Sequence, residues 1–176
     1  MTTESEKSLE ALDIAIQMEI DGKEFYTRAS RMSGNELGRK LLLSLAAEED
    51  LHRRKFEEIY EAISRGEAWL EVGLPRGQGE ARVTMFARAA EKLGSGIEVP
   101  ANELEAIRTA MTMENESYDF YRSRMEKAGR DAERSFYEAV AAEEKEHYLV
   151  LLDYYEYIQD PAGWFVQKER PSLDGA

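Results

Sequence analysis

Cysteine is absent from this chain of 176 residues. The absence excludes disulfides, cysteine-ligated zinc, iron–sulfur centres and a thiol nucleophile within the sequence. Long hydrophobic runs are also absent, since no stretch of about 18 apolar residues offers a membrane span. The opening segment, Met1 to Lys7, has no apolar stretch of signal-peptide length. The sequence therefore predicts a cytoplasmic protein that does not insert into a membrane.

Basic residues are outnumbered, with 23 Lys and Arg against 36 Asp and Glu and a net charge of −13. No basic cluster is dense enough to neutralise phosphates, so we expect neither nucleic acid nor an anionic membrane as a partner. Hydrophobic residues make up 43% of the chain, which allows one domain with a packed core. Carboxylates buried in such a core would require cations.

Histidine is nearly as scarce, and the only two histidines mark an internal repeat. His52 and His147 are 95 positions apart, and each is the last residue of the same motif, Ala-Ala-Glu-Glu-x-x-His. The same shift relates Glu19 to Glu114 and Glu49 to Glu144. It is too long for a solenoid repeat and favours a duplicated helical hairpin. We therefore predict an all-α, ferritin-like antiparallel four-helix bundle made of two hairpins joined by a long crossover.

Apolar spacing and capping residues place the four helices. The first is predicted over about Ser5 to Met32, and a Ser33-x-x-Glu36 capping box begins the second, which ends near Arg65 before Gly66. The remaining boundaries are a third helix from Pro100-Ala101, a turn at Gly129, Asp131 as N-cap of the fourth helix, and an end before Pro161.

Residues 1–160 are thus predicted to form the bundle. Residues 67–100 are predicted to form the crossover, with a short amphipathic helix over 81–92. Residues 161–176 are a C-terminal tail whose aromatic residues we expect to dock on the bundle or on a partner subunit.

The spacing of the repeated acidic and histidine residues predicts a dinuclear metal site. In each Glu-x-x-His phrase the two side chains leave the same helix face, and one glutamate on each of the other helices can chelate or bridge. Mixed oxygen and nitrogen ligands suit two iron ions, with manganese possible and zinc an adventitious occupant. The predicted ligands are Glu19, Glu49, His52, Glu114, Glu144 and His147.

Two tyrosines and two glutamates near these predicted ligands each allow two interpretations. Tyr26 and Tyr121 follow the helix-one and helix-three glutamates by seven residues, so they either assist catalysis by hydrogen-bonding a ligating carboxylate or simply fill the core. Glu48 and Glu143 are alternative ligands, although a place beside the ligands is favoured.

Two small residues, Gly22 and Ser117, each follow the single glutamate of their helix by three positions. They are expected to leave room for a small molecule beside the metals.

The motifs Glu19-(x)5-Phe25-Tyr26 and Glu49-x-x-His52, with their counterparts in the second half, resemble the rubrerythrin branch of the ferritin-like superfamily over about residues 5–158. The resemblance implies a non-haem di-iron bundle, as a homodimer or larger assembly, that reduces hydrogen peroxide or oxygen. Related proteins oxidise ferrous iron.

Two departures from this family bear on function. Rubrerythrins carry a rubredoxin-like domain with a four-cysteine iron, so a chain without cysteine would need an external electron donor such as a rubredoxin-like protein. They also have an additional ligating glutamate where Ser117 stands here, so we expect a more symmetrical site, closer to that of bacterioferritin. The alternatives are a ferroxidase or iron-handling protein without multi-turnover peroxidase activity, a manganese catalase-like enzyme, and a structural bundle with a vestigial or zinc-filled site.

Overall fold

The computed structural model describes residues 4–71, Ala90 and residues 101–168. Within these residues all regular structure is helical. The helices in chain order are α1 Glu4–Met32, α2 Glu36–Ser64, α3 Ala101–Lys127, α4 Asp131–Gln159 and α5 Pro161–Lys168. Of the predicted crossover, residues 72–89 and 91–100, with most of the predicted short helix, lie outside the described residues.

Two helical hairpins form the bundle. Helix α1 packs along α2 and α3 packs along α4, while contacts of α1 with α3 and of α2 with α4 join the two hairpins. This arrangement confirms the predicted all-α four-helix bundle. None of the described helices is both long enough and apolar enough to cross a lipid bilayer.

The core consists of two apolar clusters, one toward each end of the bundle. The α1–α2-turn cluster includes Tyr26, Leu42, Leu151 and Tyr154, and the α3–α4-turn cluster includes Leu12, Phe56, Tyr121 and Tyr137. On every helix of the bundle the predicted metal ligands fall, in sequence, between the residues of these two clusters. The sequence thus places one polar layer in the middle of a hydrophobic core, where water is excluded.

The predicted ends of the helices are confirmed, but both predicted N-caps are wrong. Helix α2 ends at Ser64 and is followed by Gly66 with a φ of 77°, a left-handed conformation that glycine adopts without strain. The N-cap of α2 is Asn35, whose side chain accepts a hydrogen bond from Gly38 N at 2.8 Å, rather than Ser33. The residue at the N-cap of α4 is Arg130, which makes no side-chain capping bond.

The reason for both errors is backbone conformation. An N-cap residue has an extended backbone, and Asn35 (φ −136°, ψ 158°) and Arg130 (φ −124°, ψ 145°) have it, each one position before the helix. Asp131 instead begins α4, where an acidic side chain in the first turn still suits the helix dipole.

A buried carboxylate, Glu103 of α3, fastens the α1–α2 turn to the second hairpin. It accepts hydrogen bonds from Ser33 Oγ at 2.6 Å, from Gly34 N at 2.9 Å and from the Tyr154 hydroxyl. Glu103 is only 2% exposed, so these three donors replace the water it would otherwise bind. Ser33 therefore joins the two hairpins instead of capping a helix.

The tail begins with α5, which docks on the bundle as expected. Trp164 is buried, its Nε1 donates to Asp153 Oδ1 at 3.1 Å, and its ring lies 5.4 Å from that of Tyr157. The aromatic residues of α5 thus extend the α1–α2-turn cluster.

Candidate metal centre

The structure brings all six predicted ligands together in the polar layer between the two apolar clusters. Each of the six residues is at most 4% exposed. They lie on all four long helices: Glu19 on α1, Glu49 and His52 on α2, Glu114 on α3, Glu144 and His147 on α4.

The six residues form two overlapping ligand sets. Within each set one ligand atom from every member lies within 4.8 Å of the others. Glu49 and Glu144 belong to both sets, which places the helix-two and helix-four glutamates where two metal ions would share them. The first set is completed by Glu19 and His52, and the second by Glu114 and His147. The arrangement follows the sequence repeat and is symmetrical.

The histidine rings point one nitrogen each into this layer. His52 Nδ1 lies 3.4 Å from Glu19 Oε2 and 3.3 Å from Glu144 Oε1. His147 Nδ1 lies 3.2 Å from Glu49 Oε1. The two rings are stacked, with 5.8 Å between their centroids. Both Nδ1 atoms therefore face the same space as the carboxylate oxygens.

The other nitrogen of each histidine contacts a glutamate of the opposite hairpin. His52 Nε2 lies 2.8 Å from Glu143 Oε2, and His147 Nε2 lies 3.0 Å from Glu48 Oε2. A carboxylate at this distance favours a proton on Nε2, so that Nδ1, once it has lost its own proton, directs a lone pair at the ligand space. Glu48 and Glu143 thus lie beside the ligands, as the favoured interpretation of the sequence held, but the sequence did not predict that each orients a histidine of the opposite hairpin.

Tyr26 and Tyr121 also cross between the hairpins. The Tyr26 hydroxyl donates to Glu114 Oε1, and the Tyr121 hydroxyl donates to Glu19 Oε1. Both tyrosines are at most 1% exposed. The seven-residue spacing predicted that each phenol lies on the inward face of its own helix. It did not indicate that the phenol donates its hydrogen bond to a carboxylate of the other hairpin.

The buried charges of the layer shift one another's pKa values. Burial raises the pKa of Glu49 and of Glu144 well above the ordinary glutamate value, and the neighbouring carboxylates raise it further. Burial also acts to raise the pKa of Glu19, but the attraction of His52 outweighs it, so the pKa is lowered. Burial acts to lower the pKa of His52, and Glu19 reverses this, so that the pKa lies well above the usual histidine value.

Buried polar atoms that make no hydrogen bond indicate whether a metal pair suits this layer. One atom from each of the six residues makes no hydrogen bond within the described part of the chain: Glu19 Oε2, Glu49 Oε1, His52 Nδ1, Glu114 Oε2, Glu144 Oε1 and His147 Nδ1. Buried polar atoms without hydrogen bonds are costly, and so are carboxylates crowded together away from water. Two divalent cations would satisfy all six atoms and offset the charge, so the residues fit a dinuclear metal site.

The expectation of open space beside Gly22 is wrong. A Cβ atom at Gly22 would lie 3.3 Å from Glu49 Oε2 and 3.4 Å from its Cδ. The missing side chain is therefore replaced by the Glu49 carboxylate, which packs against the backbone of α1. Ser117, the counterpart of Gly22, is partly buried on α3.

Fold and site together define a helical-bundle protein with a buried carboxylate and histidine cluster that can hold a metal pair. A family model described as Rubrerythrin matches residues 10–155, and the chain belongs to the rubrerythrin family. Membership in this family implies di-iron binding. Searches of curated proteins and of solved structures gave no match.

Proposed function

We propose that this protein is a non-haem di-iron oxidoreductase that reduces hydrogen peroxide to water. The observation that carries the proposal is the convergence of six buried ligand atoms that make no hydrogen bond, one from each repeated residue, in a chain of the rubrerythrin family. A structural bundle has no need of such a layer, because leucine and alanine would fill it at lower cost.

The two ligand sets support a proposal for which residues would hold the iron. Glu19 and His52 would bind one ion, Glu114 and His147 the other, and Glu49 and Glu144 both. Oxygen and imidazole ligands in this number suit iron better than zinc, which favours four ligands in a tetrahedron. Two bound ferrous ions would supply the two electrons that, with two protons, convert one peroxide into two waters.

The remaining residues of the layer keep its geometry. Tyr26 and Tyr121 each donate to one oxygen of a ligating carboxylate and leave the other oxygen directed at the metal space. Glu48 and Glu143 fix the histidine rings. The two apolar clusters exclude bulk water on both sides, which strengthens every electrostatic interaction within the layer.

Repeated turnover needs electrons from outside this sequence. The chain has no cysteine with which to bind a rubredoxin-type iron. We propose an external one-electron donor, such as a rubredoxin-like protein, and a homodimer as the assembly.

The test compares two alanine variants of α3. Glu114→Ala removes one carboxylate from the second ligand set, whereas Glu116→Ala removes an exposed carboxylate two residues away. Peroxide consumption by the iron-loaded protein, with reductant supplied, should be lost in Glu114→Ala and retained in Glu116→Ala. Circular dichroism should show intact helices in both. Unchanged consumption by a folded Glu114→Ala protein would rule out the proposed reaction.

The absence of cysteine favours a second candidate, an iron-handling ferroxidase. Such a protein would oxidise its ferrous iron once, preferentially with oxygen, and would show no sustained peroxide reduction even with a reductant and rubredoxin present. A manganese catalase-like enzyme would instead release oxygen from peroxide when loaded with manganese, with no reductant at all.

A further inference from the structure

A chain of aromatic rings leads away from the metal layer on one side. It begins at Tyr121, whose hydroxyl donates to Glu19. The Tyr121 ring stacks on that of Tyr137 with 6.2 Å between centroids, and the Tyr137 ring lies 5.7 Å from that of Trp69. Phe56 packs beside both tyrosines, at 5.4 Å from Tyr121 and 6.2 Å from Tyr137. The three oxidisable rings, those of Tyr121, Tyr137 and Trp69, therefore form a continuous series of contacts.

In the other half of the repeat, leucine stands at the positions of two of these four rings. Tyr26 makes the matching hydrogen bond to Glu114, but the positions that correspond to Phe56 and Tyr137 are Leu151 and Leu42. Both leucines are buried in the same cluster as Tyr26. Leucine at these two positions is thus sufficient to pack the core of one half, so packing alone does not explain why the other half has rings there.

The far end of the series lies near the protein surface. Trp69 follows the C-terminus of α2 and is 5% exposed, while the next residue, Leu70, is 37% exposed. The rings therefore span the distance from a carboxylate of the metal layer to the end of a helix. Electron transfer between the metal layer and the end of α2 would be faster in several short steps between neighbouring rings than in one long step.

We propose that Trp69, Tyr137 and Tyr121 form a relay that carries single electrons from the end of α2 to the metal site. This inference rests on the proposed function, which supplies the oxidant. Hydrogen peroxide takes up two electrons and two protons and becomes two waters. Where only one ferrous ion is bound, it would supply the first of these electrons, and the relay would supply the second.

In this step the indole of Trp69 is oxidised by one electron. Trp69 loses one electron through the two tyrosines and keeps its indole proton, because Nε1 has no hydrogen-bond partner among the described residues, and solvent provides both protons that peroxide takes up. The product is a tryptophan radical cation. A one-electron reductant in solution, of the ascorbate class, then restores the indole by returning one electron.

The first test looks for the radical itself. The full chain, loaded with one ferrous ion per chain, is mixed with peroxide, frozen rapidly and examined by electron paramagnetic resonance. We expect a protein radical whose hyperfine structure changes when the protein contains deuterated tryptophan. Trp69→Phe should abolish this tryptophan signal, while Trp164→Phe, which changes the corresponding residue of the other half, should leave it in place.

Two variants of the middle ring show whether the transfer uses the series. Tyr137→Phe keeps the packing but removes the oxidisable phenol, and Tyr137→Leu copies the residue that the repeat has at position 42. Both should lower the yield of the Trp69 radical, and peptide mapping should show less oxidised Trp69. An undiminished yield in both folded variants, or in Trp69→Phe, would overturn the relay.

A second test does not depend on iron or peroxide. In the full-length Trp164→Phe protein without iron, azide radicals generated by a pulse oxidise Trp69, and the tryptophan radical should come to equilibrium with a tyrosine radical at a rate independent of protein concentration. Tyr137→Leu should slow this exchange. If this transfer occurs but the iron-loaded protein does not react with peroxide, the proposed function fails and the relay stands. If no intramolecular transfer occurs, the relay is refuted whatever the iron chemistry.

Discussion

The carboxylates that orient the two histidines should control how tightly iron binds. Glu143 is the stronger case, because its oxygen lies 2.8 Å from His52 Nε2 and its side chain is 11% exposed. Glu143→Ala removes the group that keeps the ring oriented and its Nδ1 basic. Loss of such a partner typically weakens metal binding about 10- to 100-fold, or about 1.4 to 2.7 kcal/mol.

The structure also predicts which of these substitutions weakens iron binding more. Glu48 makes the matching contact with His147 at 3.0 Å, but its side chain is 19% exposed, so water screens it more. We expect Glu143→Ala to fall toward the hundredfold end of this range and Glu48→Ala toward the tenfold end (about 2.7 against about 1.4 kcal/mol). Glu143→Gln, which keeps an oxygen acceptor but not the charge, should lie between Glu143→Ala and the unchanged protein.

The assay is anaerobic competition for ferrous iron between the protein and a coloured chelator. Glu138→Gln provides the control, since Glu138 lies on α4 but is exposed. Equal affinities for Glu143→Ala and the unchanged protein, or an equal loss in Glu138→Gln, would refute the reasoning that the contact across the hairpins prepares His52 for the metal.

Three further predictions follow from the same geometry. Gly22→Ala should weaken iron binding measured by the same competition, because its Cβ would displace the Glu49 carboxylate by a few tenths of an ångström, whereas Ser117→Ala should not. Glu103→Ala should lower the free energy of unfolding in urea by about 2–4 kcal/mol, since three donors lose their acceptor, and Glu105→Ala, at an exposed site, should leave it nearly unchanged. Because the pKa of both histidines is raised above the usual value in the metal-free protein, iron must displace their protons, so the apparent affinity should rise with pH and loading should release protons that a pH indicator detects.

The repeat made much of the fold and the ligand positions predictable. A constant shift of 95 fixed which glutamates and histidines correspond, and helical spacing then placed Glu49 with His52 and Glu144 with His147 on common faces. These are local relations within one helix, or symmetry relations between halves, and both can be read without knowing how the hairpins pack.

The features that the sequence did not reveal are contacts between hairpins. Nothing local to Tyr26 indicates that its phenol reaches Glu114, 88 residues away. Ser33 satisfies the capping pattern, but a buried carboxylate 70 residues away recruits its hydroxyl, and Asn35 caps the helix. Helical periodicity gives the direction of a side chain and not the partner it meets. Ligation by the six residues, the donor, the assembly and the cellular location stay predictions.

The most direct measurement is an anaerobic titration with ferrous iron followed by stopped-flow mixing with peroxide and, separately, with oxygen. Our account predicts that two ferrous ions bind per chain, that one peroxide rapidly oxidises both, and that a reductant restores the ferrous pair in place. Binding of a single ion, or oxidation by oxygen alone with iron then leaving the site, would contradict it.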